Sequence, residues 1–420
     1  MYLKYVASTG LLAIAKASPT NDLRSRQQAN NLFVSIPQEW TYKLPPAFSG
    51  NVSTDFVRTN TTNSTIDTTL LRARSSPFIS YSDDFLSLVG GAQRFRLVSQ
   101  QSSDFAAEAG VWVPETNQVW FTSSLYAGYS YTQVLDLNTS TIFVPNTSLP
   151  IPTPNGGYYF NGLVYLTDIG NETLAGGVYS IDPIPDATGT HQTEVVVNSY
   201  YGLRFNGPDD VTWSLSTVNG TKKPLMFFTT DVNFRPVVHG YTDPVGLPNA
   251  VWRFDPTEQL LEPIIPPADI ATPNGIRVNK DFTLLYVTDT TLTAESKIGH
   301  SSNGWGSPSI YQYELSPDGY PKNKRLVGFT RRGASDGIHI DDAGRIWTAE
   351  YEGVVVRSPN GRVLGIFNAE YFLEGDAQGL AQPKIANFAL ANDTLVILAQ
   401  TRIWTVNVGQ VLVDPTRFRL

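Results

Sequence analysis

With 420 residues, 41% of them hydrophobic and only 16% charged, the chain can bury a large core, and at a formal net charge of −8 it lacks any basic run to neutralise phosphates. Nucleic acid is thereby excluded as a partner. There is no cysteine, which removes disulfides, cysteine-ligated zinc and thiol catalysis together.

Residues 1–17 carry Lys4, an apolar stretch to Ala15 and a small-residue Ala15-Lys16-Ala17 site, the pattern of a secretory signal peptide. An ordinary N-terminal strand or helix is the alternative, because Ser8 and Thr9 interrupt a short apolar run. No other segment approaches a membrane span. Sequons at Asn51, Asn60, Asn63, Asn138, Asn146, Asn171, Asn219 and Asn392 fit a secreted, N-glycosylated protein. Residues 18–90 read as an N-terminal arm, in which the Ser/Thr/Asn-rich stretch Asn51–Ser76 shows no apolar period and is expected to be a linker.

Over 91–420 similar phrases recur: EAGVWVPETNQVWFTSS from Glu108, NGGYYFNGLVYLTDIG from Asn155, DDVTWSL with MFFTTD from Asp209, NGIRVNKDFTLLYVTDT from Asn274, DGIHIDDAGRIWTAE from Asp336, and NFALANDTLVILAQ from Asn387. Each is a strand, a polar turn and a second apolar strand, and most continue with two more strands. Six units of four strands predict an all-β, six-bladed β-propeller. The sixth unit has only one further strand, RIWTVNV from Arg402, so RFRLVS from Arg94 is expected to supply its fourth and close the ring. A pair of β-sandwiches is the competing architecture.

In a propeller the innermost strand of each blade runs along the central channel, so residues at one register converge on one opening. The lead positions are Glu108, Asn155, Asp209, Asn274, Asp336 and Asn387, all oxygen-bearing. A hard cation such as Ca²⁺ takes oxygen ligands of this kind, whereas His191, His239, His300 and His339 form no paired motif for zinc or copper. Asn155-Gly156, Asn274-Gly275 and Asp336-Gly337 also suit plain turns, and the shared register is what favours a site over punctuation.

The phrases PNGIRVNKDFTLLYVTDT, SDGIHIDDAGRIWTAEYEGVVVRSPNGRVLGIF and FNGPDDV resemble signature segments of the SMP-30/gluconolactonase family, most closely secreted fungal lactonohydrolases, over about 105–408. The resemblance implies a propeller with a catalytic divalent ion in the channel, usually Ca²⁺, another divalent ion being possible. It assigns Glu108, Asn274 and Asp336 to the metal, with Asp336 also the proposed base. The fourth ligand, an asparagine in the family, falls on Asp209 in Pro208-Asp209-Asp210. An extra negative charge there weakens the ion's pull on a carbonyl.

The resulting expectation is a lactonase acting on an aldonolactone or a pantoyl-lactone-like ring, with Asp336 assisting water attack or attacking directly. A phosphotriesterase or other ester hydrolase on the same scaffold, or a non-catalytic ligand-binding propeller, are the alternatives. Asn155, Arg204, Asn206, His339 and Asn387 are candidates for binding substrate. Strand alternation turns His339 away from Asp336, which suits a structural role better than proton transfer. Arg204 equally suits a surface ion pair, and Trp305 in NGWGSP could wall the pocket. The partner expected is a small lactone or ester, with no membrane and no protein partner.

Overall fold

The computed structural model describes residues 32–49, 56–90, 94–125, 129–218, 221–231, 246–290, 308–373 and 385–419. Residues 1–17, read above as a signal peptide, and Asn51, Asn219, His239, His300 and Trp305 lie outside these residues. Among the described residues no helix is long and apolar enough to cross a membrane.

Six sheets follow one another along the chain as the repeat predicts. Their inner strands are Glu108–Val113, Pro154–Phe160, Pro208–Val218, Pro273–Val278, Ile338–Ile340 and Asn387–Ala391. Each packs on the next, and the last returns to the first, so they form the wall of one channel. The apolar members of each repeat fill the space between blades, where Trp120, Trp252 and Trp347 are fully buried. The ring closes as expected: Arg94–Gln100 pairs antiparallel with Arg402–Asn407 in the sixth blade. An edge that would otherwise be left open is thereby paired from the other end of the chain.

The N-terminal region departs from the linker reading. Asn63 accepts the backbone N–H groups of Thr65 (3.0 Å) and Ile66 (3.2 Å) and so starts a helix, Ser64–Ser75. Asp67 in its first turn and Arg72 and Arg74 in its last suit the helix dipole, and Leu70 and Ala73 are buried. The free carbonyls at its end are met from the fifth blade. Asn368 Nδ2 donates to the carbonyls of Ala73 (3.0 Å), Arg74 (3.1 Å) and Ser76 (2.8 Å). Phe78–Ser80 and then Phe33–Ser35 extend that blade to six strands, the outermost pair being parallel.

At the channel end remote from the lead residues, the C-terminal turn Pro415–Phe418 crosses four blades. Phe418 packs on Tyr158 and Tyr159 with ring centroids 5.8 and 5.7 Å apart. Arg417 donates to the carbonyl of Ile340 (3.0 Å) and to Asp342 (2.9 Å), and Arg419 reaches Glu115 (3.0 Å). The C-terminal turn thus covers the end of the channel opposite the mouth, where the lead residues lie.

Candidate functional site

Three of the six lead residues owe their placement to a bulge. In blades two, three and four, Asn155-Gly156, Asp209-Asp210 and Asn274-Gly275 each oppose a single residue of the second strand. A bulge of this kind turns side chains out of the regular alternation, here at the channel mouth. The opposing residues are Thr167, Thr229 and Thr288, and each donates its hydroxyl to the lead residue of the next blade: to the carbonyls of Asp209 (2.6 Å), Asn274 (2.5 Å) and Asp336 (3.0 Å). Thr122 makes the same bond to the Asn155 carbonyl at 3.0 Å. These latches set the register from blade to blade.

The two Thr-Pro-Asn-Gly segments are built alike. Asp168 Oδ1 accepts from the N–H (2.8 Å) and hydroxyl (3.0 Å) of Thr153, and Asp289 Oδ1 accepts from the N–H of Thr272 (3.3 Å). Burial pushes the Asp168 carboxyl up to about 6. The glycines answer a packing demand rather than a turn. A Cβ on Gly156 would lie 2.4 Å from the Asp209 carbonyl, and one on Gly337 would lie 2.5 Å from the Asn387 amide. Hence Asn-Gly and Asp-Gly mark places where neighbouring inner strands close on the axis.

Asn155, Asp209, Asn274, Asp336 and Asn387 are buried, and Glu108 is half-buried. Asn155 Nδ2 donates to Asp209 Oδ1, and Asn387 Nδ2 donates to Glu108 Oε2 at 3.2 Å. Asp209 Oδ2 is buried with no hydrogen-bond partner among the described residues. Burial raises the Asp209 carboxyl well above the usual carboxylate range, and the charges of Asp336, Asp231, Glu108 and Asp210 raise it further. Acidic side chains thus gather around Asp209. Such a pocket suits a cation, which would satisfy the orphaned oxygen and offset the mutual repulsion. Among the described residues no three His, Cys, Asp or Glu side chains form a ready ligand cluster, so a cation here would draw on the oxygen of Asn274 as well as on carboxylates.

Asp231 was not among the expected site residues. It directly follows the second strand of blade three, buried at 4% exposure, and its charge acts on Asp209. Thr230, not Asp231, occupies the register of Asp168 and Asp289, so the repeat pattern does not single it out.

Arg204 donates to the carbonyls of Asn171 and Glu172, each at 3.3 Å, tying down the loop between strands of blade two. Asn206 is buried at 1% exposure just before the third inner strand. His339 lies deeper in the channel, in a cavity of about 30 Å³ lined also by Tyr158, Arg277 and Val413. Its ring packs on Phe388 at 4.8 Å. Burial, reinforced by Arg277 and Arg417, holds its pKa well below the usual value, an effect that hydrogen bonding to Asn387 offsets only in part. It lines the channel wall and meets the ring through Asn387.

Below the mouth, Arg277 carries the ion pair of the channel. Its Nη1 donates to Asp210 Oδ2 (2.8 Å) and to the carbonyls of Val211 (3.0 Å) and Ile276 (2.6 Å), and Nη2 donates to the Gly157 carbonyl (3.0 Å). Asp210 also accepts from the N–H groups of Ile276 and Val211. Blades two, three and four are joined at this one side chain.

Residues 226–369 match the family model described as the SMP-30/Gluconolactonase/LRE-like region. Two curated relatives come from Aspergillus oryzae. The lactonohydrolase OryL is 31% identical over 62% of this chain and 60% of its own length, so the match spans three-fifths of that relative. The lactonohydrolase OryH is 25% identical over 79% of this chain and 83% of its own. Among solved structures, a gluconolactonase from Xanthomonas campestris superposes with a TM-score of 0.59 at 20% identity, over 80% of this chain and 95% of that one, which speaks for the fold. From the second strand of the third blade to the end of the fifth, this six-bladed propeller carries an SMP-30/gluconolactonase/LRE-like region, and the resemblance read from its sequence holds.

Proposed function

We propose that the chain is a divalent-cation-dependent lactonase whose reaction takes place at the channel mouth. The observation that carries the cation half is Asp209 Oδ2, buried without a partner in the field of Asp336, Asp231 and Glu108. The lactone half is supported by the two lactonohydrolases to which the chain is similar. Glu108, Asp209, Asn274 and Asp336 would hold the ion, Ca²⁺ being the best match to an all-oxygen donor set. When bound, it supplies Lewis-acid polarisation of the lactone carbonyl.

The chain's own residues do the rest. Asp336 takes the proton of the attacking water as the new C–O bond forms, then returns a proton to the ring oxygen as the ester C–O bond breaks, leaving a hydroxy acid. Its backbone is fixed for this task, since its N–H donates to the Ala349 carbonyl (2.9 Å) and its own carbonyl accepts from Thr288. The threonine latches hold the backbone that carries the carboxylate, so little reorganisation of the chain is needed. The test is acid release at constant pH from a panel of aldonolactones, pantoyl lactone, aromatic lactones and phosphotriesters. Ring opening of at least one lactone class is expected. Turnover of phosphotriesters with every lactone inert would refute the reading.

A further inference from the structure

We propose that Asn155 and Asn387 are positioning residues that clamp the carboxylates of neighbouring blades into their cation-facing orientation, an inference that rests on the cation reading above. Of the six lead residues, these two come from blades two and six, and each spends its amide on the blade that follows. Asn155 donates to Asp209 Oδ1, and its reach is set by Gly156, which lets the two inner strands approach. With Oδ1 occupied, Oδ2 is the oxygen left for a cation. Asn387 donates to Glu108 Oε2 (3.2 Å), while its Oδ1 accepts from the Phe388 N–H (2.9 Å). That second bond fixes which way the amide points. Its side chain also lies against Gly337, where an added Cβ would have no room.

Each amide commits one of its two N–H groups to a carboxylate, and in that bond the side chain serves the ligand. Donation to a carboxylate favours its ionised form and fixes its plane. At position 209 this matters most. There the buried carboxyl stands among four other acidic groups, and Asn155 is the side chain that donates to it. Removing the partner that orients a metal ligand commonly costs about 10- to 100-fold in metal affinity.

The experiment is calorimetric titration of Ca²⁺ alone into the chelator-treated full chain and its variants. Asn155→Ala is expected to weaken binding about 10- to 100-fold, and Asn387→Ala to do so in the same direction. The deciding readout is coupling. In an Asp209→Ala background Asn155→Ala should add no further loss, and in a Glu108→Ala background Asn387→Ala should add none. The crossed pairs, Asn155→Ala with Glu108→Ala and Asn387→Ala with Asp209→Ala, should multiply. A purely structural role would multiply losses in every pair and would overturn the proposal, as would unchanged affinity in both single variants. Asn155→Ser, which keeps a short donor, serves in place of Asn155→Ala if that variant does not fold. No uptake of Ca²⁺ by the unsubstituted chain would refute the cation reading itself, whereas uptake without coupling would refute the clamps alone.

Discussion

Asp336→Ala is expected to lower lactone turnover by at least about 10²-fold while the propeller stays folded. The backbone bonds of Asp336 to Ala349 and Thr288 do not involve its side chain, so the blade junction survives the substitution. Loss of its charge also relieves Asp209, on which Asp336 is the strongest of the neighbouring charges. The cation-free variant should therefore melt no lower than the unsubstituted protein. Asp336→Asn separates the two roles of the residue. It keeps an oxygen for a cation but no base, so Ca²⁺ binding should persist while turnover is lost. Rates at saturating Ca²⁺ together with melting temperatures check both outcomes, and normal turnover in Asp336→Asn would remove the residue from the chemistry.

Arg277→Leu should cost about 3–5 kcal/mol of stability, because it leaves Asp210 buried without its countercharge. Burial pushes the Asp210 carboxyl up, and Arg277 is the main influence opposing that rise. The carbonyls of Gly157 and Val211 lose a donor at the same time. Removing both partners is a different matter. A buried pair replaced by apolar groups is often close to neutral, so Arg277→Leu with Asp210→Leu should recover much of the loss. Shifts in the urea midpoint measure this, and a double variant as unstable as the single one would place the weight of Arg277 on the carbonyls instead.

The blades were legible because each inner strand and its partner alternate around a polar turn, and the six phrases repeat with that pattern. Ring closure was legible for a related reason, since Arg94–Gln100 had strand character and no local partner. The helix Ser64–Ser75 was not. Its apolar content is slight, and it is held by burial of Leu70 and Ala73 and by the Asn368 amide nearly 300 residues away. Likewise Phe33–Ser35 and Phe78–Ser80 are three-residue strands whose existence depends on the edge of blade five. A stretch that gains its structure from tertiary contacts carries little local period.

At the site, alignment of the repeats showed which residues begin the inner strands, although Glu108 pairs directly with Thr122 one place before its blade's bulge whereas Asn155, Asp209 and Asn274 lie within theirs. What each of them touches was not readable there. Asn155 and Asn387 read as substrate ligands, and the structure adds that their amides also meet Asp209 and Glu108. Asp231 went unseen because it directly follows a second strand, and Arg277 looked like any strand residue in Asn-Gly-Ile-Arg-Val, though its partner Asp210 is 67 positions earlier. Contacts between blades join residues far apart in the chain, and no single repeat displays them.

Central to the proposed function is a cation held by the oxygen ring and needed for opening a lactone. The most direct measurement follows acid release from a lactone substrate while Ca²⁺ is returned to chelator-treated protein. The expected result is negligible turnover without the ion and a single saturable rise as it is added, absent in Asp209→Ala at the same Ca²⁺ concentrations. Undiminished turnover after complete removal of divalent ions would contradict it.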